Sequence, residues 1–206
     1  MKVIEITHPI QNEQLIKEDV AMAFGFFDGM HRGHSKVFEA LDIRAKEKNL
    51  KKAVTTFDPH PSVVLNPERK RTDYLTPLSD KLEMIEQHDI DYCIVINFSS
   101  RFANVTAEEF IKDYIINNHV KEVVAGFDFT FGKFGKGNMA VLNEIDEFNT
   151  TIVGKLDLDS EDRLIFYLLM RSFSNIEYFS SKRENPIFVS PNHTKAWNSQ
   201  SFGWIS

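Results

Sequence analysis

Ala23-Phe24-Gly25-Phe26-Phe27-Asp28-Gly29-Met30-His31-Arg32-Gly33-His34 is the stretch on which the reading of this chain turns. It follows the apolar run Val20 to Phe24, which reads as a buried strand. It opens onto Ser35 to Lys48, where Val37, Phe38, Leu41 and Ala45 fall on one helical face. The motif therefore sits on a strand-to-helix turn, where main-chain N–H groups and the positive end of a helix dipole converge and where Gly25, Gly29 and Gly33 let a phosphate come close to the backbone. His31 and His34 stand on one side of the first turn and can reach the same anion. Such a stretch suits a polyphosphate; the plainer alternative is a glycine turn carrying two surface histidines.

Composition narrows the function classes. With 206 residues, 42% of them hydrophobic, and 18 phenylalanines, the chain can bury the core of one ordinary domain. A net charge of −6 argues against a nucleic-acid partner, which would need a basic surface to displace counterions. The one cysteine, Cys93, excludes an internal disulfide; it lies in the apolar run Tyr92 to Ile96 and reads as packing rather than a nucleophile. Met1 to Glu5 lack the apolar stretch of a signal peptide and no run is long enough for a membrane span, so a cytoplasmic protein without a membrane partner is expected.

Working outward, β-rich runs alternate with amphipathic helical patterns. Strands are expected at Lys52 to Phe57, Tyr92 to Phe98, Glu122 to Ala125 and Thr151 to Val153. Thr76-Pro77 reads as an N-cap with proline at the first helical position, followed by the stripe Leu78, Leu82 and Ile85. Thr106-Ala107-Glu108-Glu109 is a capping box with Val105 and Phe110 placed as a hydrophobic staple, and a helical stretch is expected around Met139 to Ile145. The alternation implies an α/β, Rossmann-like, doubly wound parallel sheet with ligands at the carboxyl ends of the strands.

The unusual residues do cluster just after strands. One such loop is Thr56-Phe57-Asp58-Pro59-His60-Pro61, whose prolines stiffen the backbone around His60 unless it is an ordinary proline-punctuated turn. Another runs from Gly126 to Gly137, where Phe127, Phe129 and Phe131 offer aromatic faces to a planar heterocycle or, alternatively, fill the core. His8, His88, His119 and His193 have no partner at metal-ligand spacing and read as surface residues; no protein-held metal is expected. Arg69-Lys70-Arg71 reads as a solvated loop.

Taken together, G-F-F-D-G-x-H-x-G-H, T-F-D-P-H-P with Val64-Leu65, Leu75-Thr76 with Lys81, and G-F-D-F-x-F-G resemble, in this order, the prokaryotic FAD synthetases. These form the FMN adenylyltransferase module of bifunctional riboflavin kinase/FMN adenylyltransferases, within the H-x-G-H nucleotidyltransferase superfamily. Other H-x-G-H transferases share only the first motif. The resemblance implies the nucleotidyltransferase type of the sheet and a reaction in which ATP and FMN, with Mg2+, give FAD and pyrophosphate. It implies that His31 and His34 hold ATP phosphates. It further implies that Gly25, Phe26, Asp28, Gly29 and Gly33 border the nucleotide, with Asp128 at the adenosine. Asp58, Pro59, His60 and Pro61, with Phe127, Phe129 and Phe131, would then border the flavin.

The likeness stops after Val153. The S-S-T-x-I-R motif of that family is absent; Arg163 and Arg171 are candidate cationic substitutes but read rather as solvated flanks of a short apolar helix, and with 36 residues after Met170 a riboflavin kinase barrel is not expected. Residues 1–160 are read as the nucleotide-binding domain and 161–206 as an atypical tail, either a disordered end or the product of a shifted reading frame near Arg163. Two further function classes stay open: a flavin and adenine nucleotide-binding protein without turnover, and an H-x-G-H transferase acting on another phosphate.

Overall fold

A computed structural model describes residues 1–30, 32–65, 76–154 and 188–189. The strands are β1 (Lys2–Ile6), β2 (Val20–Phe24), β3 (Lys51–Asp58), β4 (Tyr92–Asn97), β5 (Val120–Gly126), β6 (Thr130–Phe131), β7 (Gly137–Asn138), β8 (Asn149–Val153) and β9 (Phe188–Val189). The α-helices are α1 (Arg32–Lys48), α2 (Pro61–Leu65), α3 (Leu78–Glu86), α4 (Ala107–Phe110) and α5 (Met139–Leu142). The main sheet runs β1-β4-β3-β2-β5-β8-β9, parallel except for the β8–β9 pair, and β6 and β7 form a small separate hairpin. From β2 the chain steps one way to β3 and β4 and then returns to β5 on the other side. The strand order therefore reverses at β2, and the turn that follows it opens at the switch point.

β2 lies at the middle because every one of its residues is buried, as a strand covered on both faces requires. Its side chains alternate between two cores. Ala21 and Ala23 meet Val37, Phe38, Leu41 and Ala45 of α1 and Ile85 of α3 on one face. Val20, Met22 and Phe24 meet Phe110, Tyr114, Met139 and Leu142 on the other. The small alanines let α1 approach the sheet, while the opposite face is filled by rings. Phe110 stacks on Tyr114 at 5.2 Å and on Phe131 at 4.9 Å, and approaches Phe24 at 5.9 Å. On the α1 side, buried Glu122 of β5 accepts from Lys48 Nζ and from Thr151 Oγ1, each at 2.6 Å, joining helix and sheet.

The capping box forms as read: Glu109 N donates to Thr106 Oγ1 (3.1 Å) and Thr106 N to the Glu109 carboxylate (2.8 Å). Val105 and Phe110 are both buried beside it. Beyond Phe110 the helix widens into a π turn, Ile111–Ile115, and ends in a 3-10 turn. Thr106→Ala is expected to lower unfolding free energy by about 1 kcal/mol, read from urea denaturation.

Four expectations need correction. β1 was not anticipated, since an edge strand with largely exposed residues lacks the continuous apolar run of its neighbours. Thr76 is not the N-cap of α3; Pro77 holds that position, and Thr76 bonds elsewhere. His8 and His88 are half-buried packing residues, His8 Nδ1 lying 3.0 Å from the Tyr114 hydroxyl and His88 stacking on Phe38 at 4.3 Å. β9 lies in the tail, where no strand period was legible. The readings of Arg69-Lys70-Arg71, Arg163, Arg171 and His193, and of a shifted frame, fall outside the described residues. Cys93 is fully buried as read, and burial pushes its thiol up to about 12.

Candidate functional site

Because β3, β2 and β5 are adjacent and parallel, the three loops that leave their carboxyl ends come to the same edge of the sheet. They are the turn Gly25 to Gly29, the loop Asp58 to Pro61 and the loop Gly126 to Phe131. The chain after β2 cannot run straight into α1. Phe27 takes a left-handed φ of 54° and folds its ring back over Gly25, where an added Cβ would lie 2.8 Å from that ring. Only glycine fits at that point.

Gly29, at φ 69°, completes the turn, and here Thr76 finds its partners. Gly29 N donates to Thr76 Oγ1 (3.0 Å) and Thr76 N donates to Asp28 Oδ1 (2.9 Å). The segment entering α3 thus holds the turn in shape, and the Gly29 amide serves that bond rather than standing ready for an anion. Gly33 and His34 lie in the first turn of α1, both half-buried; the His34 ring meets the Phe27 ring edge-on at 5.2 Å. His31 lies outside the described residues.

In the second loop Asp58, Pro59 and Pro61 are half-buried, but His60 turns inward and is only 7% exposed. Its Nδ1 accepts from Ser62 N (3.0 Å) and meets Ser62 Oγ at 2.7 Å, which puts the ring proton on Nε2. The ring edge stands on the Phe26 ring at 4.1 Å with an interplanar angle of 89°. Phe26 itself is buried, and its carbonyl accepts from Thr56 Oγ1 (2.8 Å).

In the third loop the two readings divide by residue. Phe129 and Phe131 fill the core, stacked on each other at 5.7 Å, while Phe127 is 52% exposed and Asp128 is exposed beside it. Phe127 is held at the sheet edge by its N–H to Val153 O at 2.9 Å. Gly132, at φ 75°, lets the hairpin lie against α4, where an added Cβ would meet Ala107 Cα at 2.8 Å. Of the residues expected at a planar ligand, Phe127 offers a face; His60, Phe129 and Phe131 support the loops from beneath.

Reading for function missed Lys81 as a site residue, noting it only as part of a motif. It comes from α3, is 2% exposed, and places Nζ 3.5 Å above the Phe26 ring centroid and 3.4 Å from Thr56 Oγ1. Burial pushes its pKa down to about 8, against the opposing pull of Asp28 and Asp58. Its signal was available: Leu78, Lys81, Leu82 and Ile85 follow the i, i+3, i+4, i+7 spacing of one buried helix face, with a cation inside it.

Among the described residues no three His, Cys, Asp or Glu side chains converge to hold a metal, and no helix is long and apolar enough to cross a membrane.

Comparison with known proteins adds a second line of observation. The chain is 46% identical over 161 residues to the bifunctional riboflavin kinase/FMN adenylyltransferase of Bacillus subtilis, covering 76% of this chain and 50% of that protein. It is 43% identical over 157 residues to the protein so named from Listeria monocytogenes, covering 75% and 50%. A second Listeria monocytogenes protein, named FAD synthetase, is 29% identical over 143 residues, covering 69% of this chain and 57% of that one. The chain spans about half the length of the curated relatives that it matches. Among solved structures, a Streptococcus pneumoniae protein described as a macrolide-efflux protein superposes with a TM-score of 0.68 at 27% identity, over 77% of this chain and 53% of that one, a likeness of fold. The family model described as FAD synthetase matches residues 13–163, which spans β2, β3, β5 and the three loops at their ends, and the chain belongs to the FAD synthetase family.

Proposed function

We propose that this chain transfers the adenylyl group of ATP to FMN, giving FAD and pyrophosphate. A phosphate oxygen of FMN attacks the α-phosphorus, the bond from that phosphorus to the oxygen bridging to the β-phosphate breaks, and the leaving oxygen carries its electron pair away with pyrophosphate. The observation that supports this most is the gathering of the three family motifs at the carboxyl ends of β3, β2 and β5, around the point where the strand order reverses.

Such a reaction needs in-line placement and neutralisation of charge more than a covalent nucleophile. His31 and His34, at the start of α1, take the ATP phosphates; the turn Gly25 to Gly29 borders the nucleotide; Asp128 contacts the adenosine; and the loop Asp58 to Pro61 and the exposed Phe127 ring border the flavin. Mg2+ would enter with ATP, since this hard cation is commonly held through substrate phosphates and one or two carboxylates rather than by a protein cage. When bound it supplies charge neutralisation on the phosphates. Residues 1–160 form the nucleotide-binding domain in this reading.

Purified protein incubated with ATP, FMN and Mg2+ is expected to yield FAD and pyrophosphate in equal amounts, resolved by chromatography. FMN bound tightly but recovered unchanged would replace this reading with that of a nucleotide-binding protein. Adenylylation of another phosphate, with no FMN bound, would move it to a different H-x-G-H transferase.

A further inference from the structure

A lysine that is 2% exposed loses most of its hydration, and its placement here is specific. Lys81 reaches from α3, on one face of the sheet, to the underside of the turn after β2. Its Nζ stands 3.5 Å over the Phe26 ring, on which the His60 ring stands edge-on at 4.1 Å. Thr56 ties the same unit together, its Oγ1 donating to the Phe26 carbonyl at 2.8 Å and lying 3.4 Å from Lys81 Nζ. The ammonium therefore faces a column that joins the turn after β2, the end of β3 and the loop that follows β3.

We propose that Lys81 is a positioning residue: seated on Phe26 and attracted by Asp28 and Asp58, its charge fixes the nucleotide-side turn against the flavin-side loop so that the two reacting phosphates meet in line. The assignment rests on the adenylyl-transfer reading and adds a residue to it. Lys81 touches neither substrate in this account; it acts through Phe26, whose ring it holds by the cation–π contact, and through Asp28 and Asp58, one carboxylate in each of the adjoining loops. Substrate binding draws on contacts of each loop separately, whereas transfer depends on their relative placement, so the loss of Lys81 falls on turnover.

The groups that face Lys81 are Asp28 from the turn after β2, Asp58 at the end of β3 and Cys93 from β4, with His60 packed against the same Phe26 ring. Its folded pKa is lowered, so the charge is present below about 8 and lost as pH rises through that value. Cys93 stays a neutral thiol over the same range, its pKa pushed up to about 12.

The test uses the full chain and the variants K81M, F26L and the double variant. Wild type is expected to form FAD, with a turnover that falls as pH rises through about 8. K81M, which keeps the length of the side chain and removes the buried charge, is expected to lose at least about tenfold in kcat. FMN affinity by flavin fluorescence and ATP affinity by calorimetry should stay within about threefold, the melting temperature should not fall, and the alkaline limb should vanish. In the F26L background the same substitution is expected to cost much less, because the ring through which it acts is gone. A K81M kcat within about threefold of wild type, a loss that is additive with F26L, or a loss matched by a drop in melting temperature overturns the proposal. If K81M does not fold, F26L decides: a kcat within about threefold of wild type, with the ring under the lysine gone, overturns it. Wild type that forms no FAD fails the adenylyl-transfer reading itself, an outcome distinct from a wild type that is active beside an equally active K81M.

Discussion

His34→Ala is expected to lower the rate of FAD formation by on the order of a hundredfold or more, the scale of losing one donor to charge that develops in a transition state. That factor corresponds to about 2.7 kcal/mol of barrier. His34 lies in the first turn of α1, beside the Phe27 ring that closes the motif turn, at the positive end of the helix dipole. In the proposed transfer the charge that His34 would meet grows as pyrophosphate departs, so the loss is expected in kcat more than in the KM for ATP. The ring is half-buried and packs edge-on against Phe27, so a melting curve has to accompany the rates. Steady-state rates with a melting curve as control check this. His31→Ala is expected to act in the same direction, and unchanged rates in both variants would remove the imidazoles from the mechanism.

Phe110→Ala is expected to cost about 3–5 kcal/mol of stability, a large part of what a domain of this size possesses. Phe110 is 1% exposed and sits among Phe24, Phe102, Tyr114 and Phe131, so truncation opens a cavity lined by rings that cannot collapse into it without moving the sheet. Phe134, 72% exposed, is the control: alanine there should change stability by no more than about 0.5 kcal/mol. Urea unfolding of both variants measures the difference. A Phe110→Ala cost below about 1 kcal/mol would mean that the ring cluster is not the core of that face.

Where burial is continuous the sequence was readable. The strand at Val20 to Phe24 is apolar at every position because it is covered on both faces, and α1 was legible because the buried Val37, Phe38, Leu41 and Ala45 share one face at helical spacing. The capping box was legible because its hydrogen bonds need only four consecutive residues. What escaped depended on distant partners. Thr76 looks like a cap beside Pro77, yet its bonds go to Asp28 and Gly29, whose arrival next to it follows from the fold and not from local sequence. His60 and the phenylalanines at 129 and 131 looked available because they stand in loops, but a loop at a sheet edge needs support beneath it, and these side chains turn inward to give it. Lys81 was the reverse case, a residue type that favours solvent found inside a helix face.

β1 has a consequence for synthesis. Its Lys2 pairs opposite Tyr92 of β4, so β1 waits during synthesis for a partner encoded about 90 residues later. At translation speeds of about 5–20 residues per second, that strand spends roughly 5–20 s in the nascent chain with both edges open. Lys2 and Glu5, exposed in the finished protein, break up its apolar character during that interval and oppose pairing with strands of neighbouring nascent chains. The central β2–β3 pair, about 30 residues apart in register, can form well before β1 docks, which makes the N-terminal strand a late arrival in cotranslational folding.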